Sequence, residues 1–182
     1  MSWPERIETP RLVLRLPAPS DAKAIFDEYA RDPEVVRYLT WRPHGSIADT
    51  TAFLERLRAA WDAGTERTWG LTLRDDRVIG MIGIRPHGFK ADIGYVLAKP
   101  YWGRGLMTEA VSAVVDLAFA DPAVHRVWAV CDVDNAGSAR VLEKVGMSFE
   151  GILRRWIVHP NVGDTPRDTR CYSRIRQLGS ES

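Results

Sequence analysis

Tyr101-Trp-Gly-Arg-Gly-Leu106 sits between an apolar stretch, Asp92-Ile-Gly-Tyr-Val-Leu97, and a run whose apolar positions repeat with helical spacing: Ala110, Val111, Val114, Val115, Ala118 and Phe119. The reading is strand, glycine-rich turn, helix. Gly103 and Gly105 let the backbone pass close to a ligand with no Cβ in the way. The first turn of a helix leaves about four N–H groups unpaired, and the helix dipole adds positive potential there. Together these features cradle a phosphate or pyrophosphate, and Arg104 offers a charge-assisted contact. A plainer reading stands level with this one: two glycines that only make a tight turn. Two fingerprints are not met. No Gly-Lys-Ser/Thr ending follows, and Thr108 stands where G-x-G-x-x-G needs its third glycine.

Upstream, Trp69–Leu73 and Val78–Ile84 read as strands joined by the tight turn Arg74-Asp-Asp-Arg77. Arg11-Leu-Val-Leu-Arg-Leu16 alternates and is closed by Pro17. Ser20 or Asp21 caps a helix with Ala22, Ile25, Phe26 and Tyr29 in one stripe. Ser46-Ile-Ala-Asp49 is a capping-box pattern, and its helix carries Phe53, Leu54, Leu57 and Trp61 up to a stop at Gly64. Downstream, Arg126–Cys131 is a continuous apolar strand of the kind buried on both faces. Asn135 caps a helix that ends at Gly146. Two last strands lie around Phe149–Val158 and Arg170–Arg176, with a turn-rich loop, Pro160–Pro166, between them. The order β-α-α-β-β-β-α-β-α-β-β predicts an α/β (α+β) fold with a mixed sheet.

The chain has 182 residues, 45% apolar and 27% charged, with a formal net charge of +1. That size fits one domain, 1–182, with an ordered core of 7–176. The near-zero charge gives no reason to expect a nucleic-acid or membrane partner. Cys131 and Cys171 show no metal-binding spacing. The opening Met-Ser-Trp-Pro-Glu lacks a secretory pattern, and no apolar run approaches the roughly 20 residues of a membrane helix. A cytoplasmic protein with free thiols is the expectation.

With its surroundings, the glycine turn resembles the acetyl-CoA pyrophosphate loop of the GCN5-related N-acetyltransferase (GNAT) superfamily. That family's pattern is Gln/Arg-x-x-Gly-x-Gly/Ala, and here the stretch reads Trp102-Gly-Arg-Gly-Leu-Met107. Gly105 matches, whereas Trp102 and Met107 replace the Gln/Arg and the last small residue. More of the chain is similar to the RimJ/RimL branch, which acetylates N-termini of ribosomal proteins. The similar segments are Ile7–Leu14, Asp92–Tyr95, Gly105–Ala110, Asn135–Ser138, Val141–Met147, Glu150-Gly151, Arg167-Asp168 and Tyr172-Ser173.

The resemblance implies a mostly antiparallel twisted sheet of about seven strands with about four helices, and a splayed parallel strand pair at its centre. The strands ending at Leu97 and Cys131 should be that pair. The pantetheine arm of acetyl-CoA would lie between them, pairing like an added strand, with the thioester carbonyl near the Leu97 N–H. The implied cofactor contacts are Val96, Leu97, Trp102, Gly103, Arg104, Gly105, Leu106, Met107, Asn135 and Ser138, with no metal. The implied reaction is attack of a neutral primary amine on the thioester. It needs a proton acceptor, a stabilised oxyanion and a proton for the leaving thiolate.

By the same resemblance, Asn135 contacts the pantetheine and Ser138 lies near the sulfur, although both residue types also suit a plain helix cap. Asp92 stands where the branch often has Glu and is the candidate base, against the reading of a solvated strand end. The Glu that some relatives carry after Glu150-Gly151 has no counterpart in Arg154-Arg-Trp-Ile157. His44 and His87 are loop histidines near an acceptor site, with His125 and His159 behind them. Glu109 is explained by the helix dipole and Cys131 by burial, while Tyr172 reads as core packing or, by the resemblance, as a tyrosine near the thiol. Arg154, Arg155, Arg167, Arg170, Arg174 and Arg176 read as a solvated basic face, or as partners of the CoA 3′-phosphate or of an acidic substrate.

The acceptor is a protein N-terminus or a small amine. Trp41, Trp61, Trp69 and Trp156 give its surroundings more aromatic than acidic character, which disfavours polycations. A CoA-binding sensor without turnover and an unrelated phosphate-binding domain are the alternatives. A monomer or homodimer is expected.

Overall fold

The computed structural model describes residues 3–177; residues 1–2 and 178–182 of the expected domain lie outside the described residues. Eight strands form one sheet: β1 (Arg6–Glu8), β2 (Val13–Arg15), β3 (Arg67–Thr72), β4 (Val78–His87), β5 (Lys90–Leu97), β6 (Arg126–Asp132), β7 (Ser148–Ile157) and β8 (Arg167–Ile175). Their order across the sheet is β1-β2-β3-β4-β5-β6-β8-β7. Every neighbouring pair is antiparallel except β5 and β6. The helices are α1 (Ala22–Ile25), α2 (Ile47–Ala63), α3 (Leu106–Ala120) and α4 (Ala136–Lys144).

The strand beyond those expected is β1. It pairs with β2 across a turn held by Thr9, whose N–H donates to the Leu12 carbonyl at 2.9 Å. Three residues without clean alternation leave no periodic signal. The first helix also departs from a simple stripe. After Ile25 the backbone widens into a π-type turn over Phe26–Ala30, which keeps Tyr29 buried. By contrast, α2 starts as its sequence dictates. Asp49 N–H donates to Ser46 Oγ at 3.3 Å, Ser46 N–H donates to Asp49 Oδ2 at 3.0 Å, and Gly64 closes the helix at φ 74°.

Alternation along β5 sorts the core. Ala91, Ile93 and Leu97 join the main cluster with Val111, Val114 and Val115 of α3 and Leu142 of α4. Val96 and Ala98 join a second cluster with Ile25 and Tyr29, next to Leu54 of α2. In β6, Val127, Ala129 and Cys131 face the main core, so Trp128, Val130 and Asp132 look out from the other face. β7 forms the sheet edge. It is interrupted by register shifts at Phe149/Gly151 and Leu153/Ile157, irregularities that blunt an otherwise open edge.

Candidate functional site

β5 and β6 pair only through Lys90, Asp92 and Ala91 against Arg126, Trp128 and Val127. Beyond Asp92 the strands part. Ala98 N–H donates to the Ile79 carbonyl of β4 at 2.8 Å. Successive N–H groups of a strand face opposite edges, so Leu97 turns its N–H into the gap. Val96, expected as a second contact, turns its N–H toward β4 instead. The Leu97 carbonyl is taken by the Trp102 indole N–H at 2.6 Å. Trp102 therefore fastens the glycine turn to the end of β5. Across the gap, Tyr95 reaches α4: its hydroxyl lies 2.8 Å from Ser138 Oγ and 3.2 Å from the Ser138 carbonyl. Asn135 caps α4 by accepting Ser138 N–H at 3.1 Å. The capping reading of Asn135 is thus correct, and the cap also holds Ser138 at the gap.

The turn itself fits a phosphate group. Gly103 and Gly105 adopt φ 73° and 74°, the left-handed region where other residues are strained. A Cβ on Gly103 would meet nothing within 4 Å, so conformation and not packing requires glycine there. Gly105 precedes α3 without any side-chain cap, so the N–H groups of Leu106, Met107 and Thr108 stay free to receive an anion. Arg104 lies over the Tyr101 ring, 5.5 Å from its centroid. Glu109 does more than complement a dipole. It accepts from Thr9 Oγ1 at 2.6 Å, from Arg11 N–H at 2.8 Å and from Arg11 Nε at 2.6 Å, while Arg11 Nη1 donates to the Arg104 carbonyl at 2.8 Å. Burial raises the Glu109 carboxyl, but the bonds from Thr9 and Arg11 outweigh it and hold the group below its ordinary value. The segment before β2 is thereby clamped behind the turn.

A cleft of about 230 Å³ passes through the gap. On the α3/α4 side its walls are Tyr95, Cys131, Asn135 and Ser138; on the opposite side they include Arg85, Asp92, Trp128, Thr169, Trp156 and His159. Asp92 is only 8% exposed, which overturns the solvated strand end. One of its oxygens lies 2.6 Å from His87 Nε2, and the other accepts from Arg85 Nε at 2.9 Å and from Arg85 Nη2. His87 therefore acts on Asp92 and does not border the cleft. His44 is elsewhere: Nδ1 lies 2.8 Å from Thr50 Oγ1, the ring packs between Trp41 and Phe53, and burial lowers its pKa.

His159, ranked low by sequence, lines the cleft at 3% exposure. Burial lowers its pKa against the opposing pull of Asp132, 3.5 Å away. Burial pushes the Cys131 thiol up to about 11, so it stays protonated at neutral pH. Tyr172 packs in the core and donates to Glu143 Oε1 at 3.0 Å.

Of the four tryptophans expected near the acceptor, only Trp156 lines the cleft. Trp61 and Trp69 are core neighbours, and Trp41 packs on Phe53. The basic C-terminal third is largely paired: Arg154 with Asp168, Arg167 with Asp132 and Asp134, and Arg174 with Asp116. Arg176 donates to the carbonyls of Phe119, Asp121 and Val124. Sequence reasoning missed Tyr95, Trp128 and Arg85. The alternation of β5 around Asp92-Ile-Gly-Tyr95 carried a signal for the first. The unbroken apolar run of β6 hid the second.

A splayed parallel pair above a glycine-rich helix start defines a class of acyl-CoA-dependent transferases, and the comparisons agree. The acetyltransferase (GNAT) domain model matches residues 11–148, and the chain belongs to that family. It is 34% identical to the uncharacterized N-acetyltransferase YoaA of Bacillus subtilis, covering 93% of this chain and 96% of the relative. It is 26% identical to the [ribosomal protein uS5]-alanine N-acetyltransferase of Escherichia coli, over 84% of this chain and 83% of that one. The solved structure of the microcin C7 self-immunity acetyltransferase MccE, with acetyl-CoA and AMP, superposes with a TM-score of 0.86 at 19% identity, covering 96% and 98% of the two chains. That likeness bears on the fold alone. The chain is an acetyltransferase, and acetyl-CoA is the co-substrate of its family.

Proposed function

We propose that this protein transfers acetyl from acetyl-CoA directly to a primary amine. The observation that carries the reading is the gap. The Tyr95–Ser138 pair and the buried Asp92 line one opening through the sheet, and the Leu97 N–H faces the same gap between β5 and β6. Acetyl-CoA supplies the acyl group as a thioester. The free N–H groups at the start of α3 would hold its pyrophosphate, and the gap-facing edge of β5 would pair with its pantetheine.

The Leu97 N–H polarises a carbonyl oxygen placed in the gap. Ser138 Oγ, oriented by Tyr95, is the proton donor toward the sulfur. Tyr95 itself keeps its proton, because burial raises its pKa. Asp92 takes the proton from the incoming ammonium, and His87, bonded to it from behind, orients the carboxylate. A protein N-terminal amine and a small-molecule amine both satisfy this chemistry. The E. coli relative that acts on an alanine N-terminus of a ribosomal protein supports the former.

Calorimetric titration of acetyl-CoA, repeated with Gly105→Asp, tests the cofactor site. Thiol release on adding amines tests transfer. Saturable binding lost in the variant, with amine-dependent CoA release, is the expected result. No binding by the parent protein overturns the reading, and binding without release from any amine leaves a sensor.

A further inference from the structure

The acceptor half of the cleft has an uneven chemistry. Its apolar walls are Tyr38, Leu39, Trp128, Val130, Trp156 and Ile157. Trp156 is 52% exposed, and the other five are half-buried, so this surface has no covering partner among the described residues. The charged side chains on the same walls are Arg85 and Asp92, and they are bonded to each other. His159 lies among them with its imidazole shifted toward the neutral form by burial. Of the next charges out, Asp132 is matched with Arg167 and Glu66 with Arg85, while Arg37 lies over the Tyr38 ring, 5.4 Å from its centroid.

An acceptor with a second ammonium would find no free carboxylate on these walls, and one with a carboxylate or phosphate would find their guanidinium, Arg85, already bonded to Asp92. Burying it unpaired is costly. Apolar surface left open on a soluble fold is a mark of a binding site, and three of the six apolar walls are rings that favour stacking or edge contacts with another ring.

We infer that the acceptor is a primary amine carried on an uncharged aromatic body, seated between Tyr38, Trp128 and Trp156. This rests on the transferase reading above and narrows it. The amine points to Asp92, and the ring fills the outer part of the cleft. For a peptide, the body is the first side chain; for a small molecule, it is the whole substituent.

The test compares 2-phenylethylamine, tryptamine, spermidine, glycine and a tripeptide with N-terminal Phe. Steady-state CoA release gives kcat/KM for each. Calorimetry on the protein saturated with CoA gives amine affinity without turnover. Aromatic amines should exceed spermidine and glycine in kcat/KM by about tenfold or more, a difference worth about 1.4 kcal/mol. Trp156→Ala should raise the aromatic KM about tenfold and leave kcat and acetyl-CoA affinity in place, and Trp156→Phe should restore most of the loss. Trp156 lies on an exposed edge strand, so both variants should fold.

Spermidine or glycine as the preferred acceptor overturns the inference while leaving the transferase intact. So does a Trp156→Ala variant with unchanged KM. Aromatic amines that bind to the CoA complex but are never acetylated support the pocket chemistry and sink the transferase reading. No binding and no turnover with any aromatic amine overturns the inference.

Discussion

The two halves of the candidate site are built from different materials. The cofactor half is made of backbone: two left-handed glycines, three free N–H groups at the start of α3 and one strand edge left unpaired beyond Asp92. The acceptor half is made of side chains from distant elements, with Tyr38, Trp128 and Trp156 brought together by the sheet order. A backbone site asks little of the side chains around it: with Trp102 and Met107 in the glycine turn, the start of α3 still carries no side-chain cap. A side-chain site changes with every residue that lines it. The shared half can thus stay constant across a family while the other half sets the acceptor.

If Asp92 is the base, the largest effect belongs to it. Asp92→Asn should lower kcat about 10²- to 10⁴-fold, the usual contribution of general base catalysis, with acetyl-CoA affinity unchanged. The substitution keeps shape and removes charge, so circular dichroism should match the parent. A fall of less than about threefold in kcat would show that Asp92 only orders Arg85 and His87, and the comparison of halves would lose its chemical centre.

Gly105→Asp attacks the other half. The carboxylate would sit at the start of α3, where the unpaired N–H groups and helix dipole favour an anion. Acetyl-CoA affinity should fall about 100-fold, and Gly105→Ala should fall much less. Equal losses in the two variants would point to backbone strain at φ 74° and away from the anion site.

Tyr95→Phe probes the seam between the halves. Removing the hydroxyl that lies 2.8 Å from Ser138 Oγ should lower kcat about tenfold, with both KM values little changed. A rise in acetyl-CoA KM with unchanged kcat would make Tyr95 a wall of the cofactor channel and nothing more.

The sequence made the backbone half legible because glycines and caps are local signals. Gly103 and Gly105 need only their own φ values, and Asn135 needs only the start of its helix. The strand order and the gap followed from resemblance to an ordered set of segments, not from periodicity. The acceptor half was largely illegible. Trp61, Trp69 and Trp156 are the same residue type, but only the sheet order puts the first two in the core and the third at the cleft. His159 follows a strand and precedes a turn, with nothing local to show that it folds inward over Asp132. Arg85 and Asp92 are seven residues apart and meet only because β4 and β5 form a hairpin.

The smallest effect predicted is on stability in acid. The acceptor half leans on carboxylates held by arginines. Burial raises the Asp132 carboxyl, but its bonds from Arg167 and the Asp134 backbone outweigh this and lower its pKa. Glu150 is held at about 2 by bonds from Arg126 and Ser173. In both groups the folded value lies below the unfolded one, so the unfolded chain binds protons more readily. Their contribution is complete above the ordinary carboxylate range and is lost as pH falls through the folded values, between about 4.5 and 2 for Glu150. Glu150 is partly exposed, so solvent screening leaves it with about 1 kcal/mol or less. Asp132 is fully buried, and its share should be the larger. Denaturant midpoints measured from pH 7 to pH 3 should therefore fall, and Asp132→Asn, weaker at neutral pH, should fall less steeply. An Asp132→Asn protein with the parent's slope would mean that the acid response arises elsewhere, and that the side-chain half is no more dependent on charge than the backbone half.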